Sequence, residues 1–260
     1  MSGRGDGRGT RRDAGRENAE GGADDTPQGS GRIAKRLARA GVASRREVER
    51  MIEAGRVSVN GKRLASPALN VGPEDIIQVD GKPVAAPEPA RLWRYYKPAG
   101  LVTSANDEQG RSTIFDHLPK RLPRVMSVGR LDLNSEGLLL LTNDGGLKRA
   151  LELPSTGWIR QYRARAFGTP EPERLARLAD GIRVDGEQFG PIKATVERQA
   201  GERNSVGRNS WILVELAEGR NREVRRALEA AGLTVNRLIR TRYGPFSLDR
   251  MQRGEVTEVP

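Results

Sequence analysis

The chain has 260 residues, enough for one large or two modest domains with a real core, and a formal net charge of +11. Such an excess favours a polyanionic partner, either nucleic acid or an anionic membrane surface. With no cysteine and a single histidine, His117, disulfides, thiolate metal sites, a cysteine nucleophile and multi-histidine acid/base machinery are excluded. Any chemistry must rest on carboxylates, hydroxyls, amines, guanidiniums or a bound cofactor. No apolar run approaches the length of a membrane span, and no hydrophobic signal core opens the chain. The expectation is a soluble cytoplasmic protein with no membrane partner.

Residues 1–30 carry eight glycines and, after Met1, no aliphatic side chain larger than alanine. They have too little apolar surface to offset ordering, and a disordered tail is expected. Five arginines there face six acids, so the positive charge lies elsewhere. Residues 31–65 hold it: ten Lys or Arg against three Glu, a local net of +7. Ile33, Leu37 and Ala40-Gly41 predict a short helix stopped by Gly41. Ser44-Arg45-Arg46-Glu47 is a capping box for a second helix with Val48, Met51 and Ile52 as its apolar stripe. Val57 to Leu64 reads as a hairpin turning on Asn60-Gly61, and Ile76 to Lys82 repeats the form at Asp80-Gly81. A basic stretch is commonly just a solvated face. Here the excess is one-signed and packed into one small unit, which favours RNA binding.

From Arg32 to Leu64, with Ala40-Gly41-Val42-Ala43-Ser44-Arg45-Arg46-Glu47 and Gly55-Arg56-Val57-Ser58-Val59-Asn60-Gly61, the segment resembles the αL RNA-binding domain first seen in ribosomal protein uS-four. The resemblance implies recognition of structured RNA through arginines of the helical face. The RNA-binding set expected here is Arg36, Arg45, Arg46, Arg50, Arg56 and Lys62, with Arg39 on the same module. The module is expected over residues 31–82. A proline-stiffened linker follows over 83–91, and a second domain over 92–260.

In that second domain Leu92 to Tyr96 predicts a strand, Thr103 to Arg111 a polar surface loop, and Ile114 to Leu118 a helical turn. His117 reads as a packing or surface residue. Val128-Gly129-Arg130-Leu131-Asp132-Leu133 leads into a polar corner, Asn134-Ser135-Glu136-Gly137, and then four leucines that predict a strand buried on both faces. Asp132 is a lone acid between Leu131 and Leu133, and Arg130 shares its face in an extended segment. A catalytic carboxylate has this form, and so does an Asx-turn. On these residues alone the turn is the commoner reading.

Leu147 to Leu153 predicts a short helix halted by Pro154. Trp158 to Ala166 predicts a strand with Trp158, Arg160 and Tyr162 on one face, which suits base stacking and an ordinary half-exposed sheet equally. Pro172 to Asp180 reads as a helix, Ile182 to Val196 as strand with a turn at Asp185-Gly186, and Ser210 to Leu216 as a further strand. A helix then runs from an N-cap at Asn221 to a stop at Gly232, burying Val224, Ala227, Leu228 and Ala231. Arg222, Arg225, Arg226, Arg237, Arg240 and Arg242 read as a second basic cluster. No dinucleotide or Walker loop occurs, and no carboxylate pair stands at glycosidase spacing.

An ordered set of motifs remains: Tyr95 to Gly100, Gly110 to Asp116, Gly129 to Asp132 with Gly137 to Leu140, Thr142 to Gly145, Gly219 to Arg226, and Arg240 to Pro245. With these the domain resembles the rRNA pseudouridine synthases of the RsuA/RluB branch. The resemblance implies an α+β protein, with a mixed or antiparallel sheet and a central cleft. It implies isomerisation of a uridine in ribosomal RNA by a monomer, without cofactor or metal. The C–N glycosidic bond breaks, the uracil turns, and a C–C bond forms at C5. Asp132 matches the family's essential aspartate, acting by attack on the sugar or by proton abstraction at the ribose. Tyr162 matches the aromatic that stacks on the base. Arg225 is taken as the basic partner of Asp132, with Arg222 as the alternative. Arg130 braces the loop, and Leu238 or Ile239 packs under the base.

The chain departs from the family in having Glu223 where Gln is frequent, and Leu153-Pro154-Ser155 where His-Pro-Ser is frequent. Tyr95 to Pro98 and Gly110 to Asp116 lean towards the large-subunit enzymes. A non-catalytic RNA-binding assembly factor would have lost the acid or the aromatic, and both are present. DNA binding through the basic helix fits charge alone and lacks a helix-turn-helix pattern.

Overall fold

The computed structural model of the chain describes residues 30–197 and 209–260, and the tail expected to be disordered lies, but for Ser30, outside them. The residues cluster into two units. One draws on residues up to Arg36 and on Ser44–Val84, the other on Leu37–Ala43 and Ala85–Pro260. One boundary, between Val84 and Ala85, lies inside the segment read as a linker, and the other two, after Arg36 and after Ala43, lie inside the segment read as one module.

After a two-residue strand, Gly31–Arg32, come helices α1 (Ile33–Arg39) and α2 (Arg45–Glu53). The first unit contains α2. Ser44 Oγ accepts from Glu47 N–H at 3.2 Å, so the predicted cap forms, and Val48, Met51 and Ile52 are buried. Strands β1 (Val57–Val59), β2 (Lys62–Arg63), β3 (Ile77–Val79) and β4 (Lys82–Pro83) make an antiparallel sheet in the order β2-β1-β3-β4. Both hairpins turn on an Asn-Gly or Asp-Gly pair with positive φ: Asn60 50°, Gly61 78°, Asp80 50° and Gly81 75°. This backbone matches the twist of the strands it joins.

The second unit is built on a nine-stranded sheet. Its elements in chain order are β5 (Leu92–Lys97), β6 (Met126–Val128), β7 (Ser135–Thr142), α3 (Gly145–Glu152), β8 (Arg160–Phe167), α4 (Pro172–Arg177), β9 (Ile182–Val184), β10 (Glu187–Phe189), β11 (Ile192–Glu197), β12 (Asn209–Leu216), α5 (Glu223–Ala230), β13 (Thr234–Tyr243), β14 (Phe246–Ser247) and β15 (Val256–Glu258). The sheet runs β11-β12-β8-β13-β7-β5-β15, with β14 beside β13 and β6 beside β7, while β9 and β10 form a separate hairpin. Among the described strands of this sheet only β13 and β7 pair in parallel, Leu238 opposite Ser135 and Arg240 opposite Gly137. One core lies against α4 and α5 and contains Tyr162, Ile212, Val214, Val224, Leu228 and Leu238. A second lies against α3 and contains Val128, Leu138, Leu140, Leu151 and Ile239.

Four local expectations change. The polar corner is not a corner: every residue from Ser135 to Thr142 is buried strand. Glu136 tolerates this because Arg237 meets it at 2.6 Å and Arg253 at 3.2 Å. Gly137 tolerates it because it has no Cβ. Its φ is +107°, and a Cβ would lie 2.3 Å from the carbonyl oxygen of Arg240. The ten-residue β13 was not foreseen, since its arginines mask the strand pattern. Trp158 precedes β8 and packs instead on Tyr243 and Phe246, with centroids 6.0 and 5.9 Å apart. Finally, α5 is capped at Arg222 rather than Asn221. Arg222 adopts a left-handed backbone, φ 51°, and the carboxylate of Glu223 accepts from Arg220 N–H at 2.8 Å.

Candidate active site

The second unit encloses a cavity of about 600 Å³, lined in part by Arg130, Asp132, Arg160, Tyr162, Arg222 and Leu238. Five of the six site residues expected in this unit (Asp132, Tyr162, Arg130, Arg222 and Leu238) therefore line one cavity. Their positions follow from the sheet. Tyr162 is on β8 and Leu238 on the adjacent β13, with both side chains buried in the core against α4 and α5. Ile239, one residue on, points into the other core. Of the two residues considered for packing under a base, Leu238 lines the cavity.

Asp132 starts a tight turn: Ser135 N–H donates to its backbone carbonyl at 3.0 Å. The turn is closed by main chain, so the carboxylate is free of that duty. Its side chain is 38% exposed, and the nearest cation is Arg222, 4.0 Å from Asp132 Oδ2. That distance is too long for a hydrogen bond and short enough for a strong charge interaction. A left-handed conformation at a non-glycine residue is strained by roughly 1–3 kcal/mol, and such strain gathers at functional sites. Arg222 is in that state beside Asp132.

While the carboxylate is free, the backbone around it is pinned. Thr103 Oγ1 donates to Leu131 C=O at 2.7 Å. Gly100 N–H donates to Leu133 C=O at 2.8 Å. Lys97, with no exposed surface, turns its Nζ on the carbonyls of Asp132 (3.2 Å), Leu133 (3.4 Å) and Ser135 (2.8 Å). Burial pushes the Lys97 ammonium down to about 8, against the opposing charges of Asp132 and Glu136. Arg225 donates to Asn134 C=O at 3.0 Å and to Val235 C=O at 2.8 Å. Burial and then the charge of Arg222 push the Arg225 guanidinium down, and the charge of Asp132 acts the other way. Arg225 thus holds the turn by its carbonyls, and Arg222 stands closer to the acid.

Lys97 and Thr103 escaped the sequence reading. The signal for Lys97 was present: strand alternation puts it on the buried face of β5 with Trp93 and Tyr95. Thr103 was placed in a polar surface loop, yet it is buried because its hydroxyl is spent on Leu131.

The loop before α5 is held by ions. Arg220 reaches Glu218 at 2.8 Å and Glu187 at 3.2 Å, and Arg226 reaches Glu187 at 2.5 Å. Glu223 is buried, and burial pushes its carboxyl up, with the charge of Glu218 adding to the effect. Arg220 holds the Glu218 carboxyl down. The second basic cluster is therefore largely internal. Arg226 and Arg237 are paired with acids, Arg225 is bound to carbonyls, and Arg240 is buried and donates to Leu138 C=O at 2.8 Å. The first unit differs. Arg45, Arg46, Arg50 and Lys62 are exposed, Arg36 is half-buried with a contact to Gly72 C=O at 3.4 Å, and Arg56 forms a two-bond pair with Asp80 at 2.9 and 2.6 Å.

Among the described residues no group of acids and His could hold a metal ion, and no helix is long and apolar enough to cross a membrane. Residues 91–230 match the RNA pseudouridylate synthase family, and residues 31–77 match the S4 domain family. A protein of Rickettsia bellii described as an uncharacterized RNA pseudouridine synthase is 47% identical over 88% of this chain and 96% of its own length. A ribosomal large subunit pseudouridine synthase B of Salmonella typhi is 45% identical over 88% of this chain and 79% of its own length. Among solved structures, a pseudouridylate synthase superposes with a TM-score of 0.60 at 26% identity, covering 88% of this chain and 96% of its own.

Proposed function

We infer what this protein does from the premise that the chain belongs to the RNA pseudouridine synthase family, with an S4 domain ahead of the synthase domain. Its activity is the isomerisation of uridine in RNA to pseudouridine. The substrate proposed is ribosomal RNA, and within it the large-subunit RNA. That choice is supported by the Salmonella typhi relative and by the motifs around Tyr95 and Gly110.

One observation carries the assignment of the site. Asp132 presents a free carboxylate from a pinned turn into a cavity that Tyr162 and Leu238 also line, with Arg222 4.0 Å away. In this reading the target base leaves its stack and lies between Tyr162 and Leu238. The Asp132 carboxylate attacks the sugar at C1′ or takes a ribose proton. The C1′–N1 bond breaks, the uracil turns, and C1′ bonds to C5. The hydrogen displaced from C5 leaves as a proton and N1 gains one, so atoms balance without a co-reactant. The Tyr162 hydroxyl hydrogen-bonds to no other described residue and is free to carry that proton. Arg45, Arg46, Arg50 and Lys62 of the S4 domain bind the phosphates of a structured RNA, with Arg36 and Arg56 at the same module. The protein acts as a monomer in the cytoplasm.

The test is Asp132→Asn. Pseudouridine formation on rRNA should fall by at least ~10³-fold while RNA binding stays near wild type. Undiminished activity would sink the assignment. Mapping pseudouridines in the rRNA of cells with and without the gene identifies the uridine. A lost site in small-subunit RNA would overturn the large-subunit choice.

A further inference from the structure

We propose that Lys148 and Glu152 of α3 are positioning residues for the Asp132 loop. They set the rate of the chemical step and leave RNA affinity alone. The proposal rests on Asp132 being the reactive acid.

Among the described residues β6 pairs with β7 alone, so it is an edge strand. Ser127 C=O and Gly129 N–H are two positions apart, so they point to the same edge. A further strand would satisfy them with a donor and an acceptor. None is there, and two side chains take its place. Lys148 Nζ donates to Ser127 C=O at 2.7 Å, and Glu152 Oε1 accepts from Gly129 N–H at 2.6 Å. Lys148 and Glu152 also bond to each other and are one helical turn apart on α3. Each side chain is about one-third exposed, and both line the cavity.

The consequence is directional. Gly129 has φ +65°, and here the chain leaves β6 for Arg130 and Asp132. The bond from Gly129 N–H to Glu152 fixes where that departure begins. Thr103, Gly100, Lys97 and Arg225 hold the loop further along. Without Glu152 the loop loses the anchor at its start while keeping those at its end. Asp132 can then swing by a fraction of an ångström relative to C1′, and misplacement on that scale lowers rates steeply.

Glu152→Ala, Glu152→Gln and Lys148→Met test this in the full-length protein, with Asp132→Asn as reference. Single-turnover rate, RNA dissociation constant and melting temperature are measured for each. Glu152→Ala is expected to lower the single-turnover rate by about 10- to 100-fold with RNA affinity unchanged. Glu152→Gln should recover most of that loss, because its amide oxygen still accepts from Gly129 N–H. Lys148→Met should fall between the two. A wild-type rate in Glu152→Ala overturns the proposal. So does equal loss in Glu152→Ala and Glu152→Gln, which would mean that charge and not the acceptor matters. A parallel loss of RNA affinity overturns it too. If Glu152→Ala does not fold, the same decision falls to Glu152→Gln against Lys148→Met, where equal rates overturn it. An active Asp132→Asn would fail the catalytic reading instead, whatever the α3 variants do.

Discussion

Two loops meet at the cavity and are held in opposite ways. Residues 129–135 are gripped by their backbone, through buried bonds from Thr103 and Lys97 and a solvent-exposed one from Arg225. The loop before α5 is gripped by its side chains, through pairs of Arg220 and Arg226 with Glu187 and Glu218. Those carboxylates are 37% and 40% exposed. Buried hydrogen bonds feel little of the solvent, whereas exposed ion pairs are screened by salt and worth ~0–1 kcal/mol each. The comparison assigns different duties. On the proposed function, the loop of Asp132 is the rigid one and the loop of Arg222 is the one left to adjust.

The largest effect expected from breaking this contrast is at Lys97. Lys97→Met keeps the buried stem and removes the ammonium from the carbonyls of Asp132, Leu133 and Ser135. The single-turnover rate should drop by about 10²-fold with RNA affinity little changed. Because the Lys97 ammonium titrates near 8, the wild-type rate should also decline above that pH. A flat alkaline profile in wild type would count against the role.

Arg222→Gln should cost less, about 10-fold in single-turnover rate, since it removes one charge 4.0 Å from Asp132 and no backbone anchor. The rate should also fall with added salt at saturating RNA, and Arg222→Gln should flatten that dependence. A salt response unchanged in the variant would show that the ion-held loop is as rigid as its neighbour.

Arg45→Ala with Arg46→Ala tests the S4 domain apart from both loops. The slope of log affinity against log salt should shrink by about 2, one for each phosphate no longer neutralised, with no change in single-turnover rate at saturation. A change in rate instead of affinity would move these arginines out of the RNA-binding set.

The smallest effect is at Glu223. Its carboxyl is raised in the folded state, so the folded protein holds a proton that the unfolded chain would release. Stability is then greatest on the acid side and falls as pH rises from about 4.5, the ordinary value, through the folded value. Gln does not titrate, and its amide can donate towards Glu218. Glu223→Gln should therefore raise Tm at neutral pH by roughly 2–4 °C, for about 1 kcal/mol, and the gain should vanish at low pH. A gain that persists at acid pH would have another cause.

Much of this was legible in the chain itself. The side-chain cap at Ser44, the two positive-φ hairpin turns and the leucine run of β7 each rest on local rules, and each is found. At Asp132 the Asx-turn does not form: the turn there is closed by the backbone carbonyl, and the residue lines the cavity. What escaped was strand β13. Four of its ten residues are Arg or Asn, and no alternation survives the register shifts beside β8.

Sequence by itself determined the basic character of the first unit and the residue types that line the cavity. Local propensity and composition carry that information, and motif order carries the family. Only the tertiary structure decided which charges remain for the substrate. Arg237, Arg226 and Arg240 read as free cations until long-range pairing placed acids, carbonyls or core around them. It also decided that Arg222 stands nearest to Asp132, and that a buried lysine on β5 holds the turn. Those facts depend on which strand lies beside which, and that follows from packing the whole sheet rather than from any segment of it.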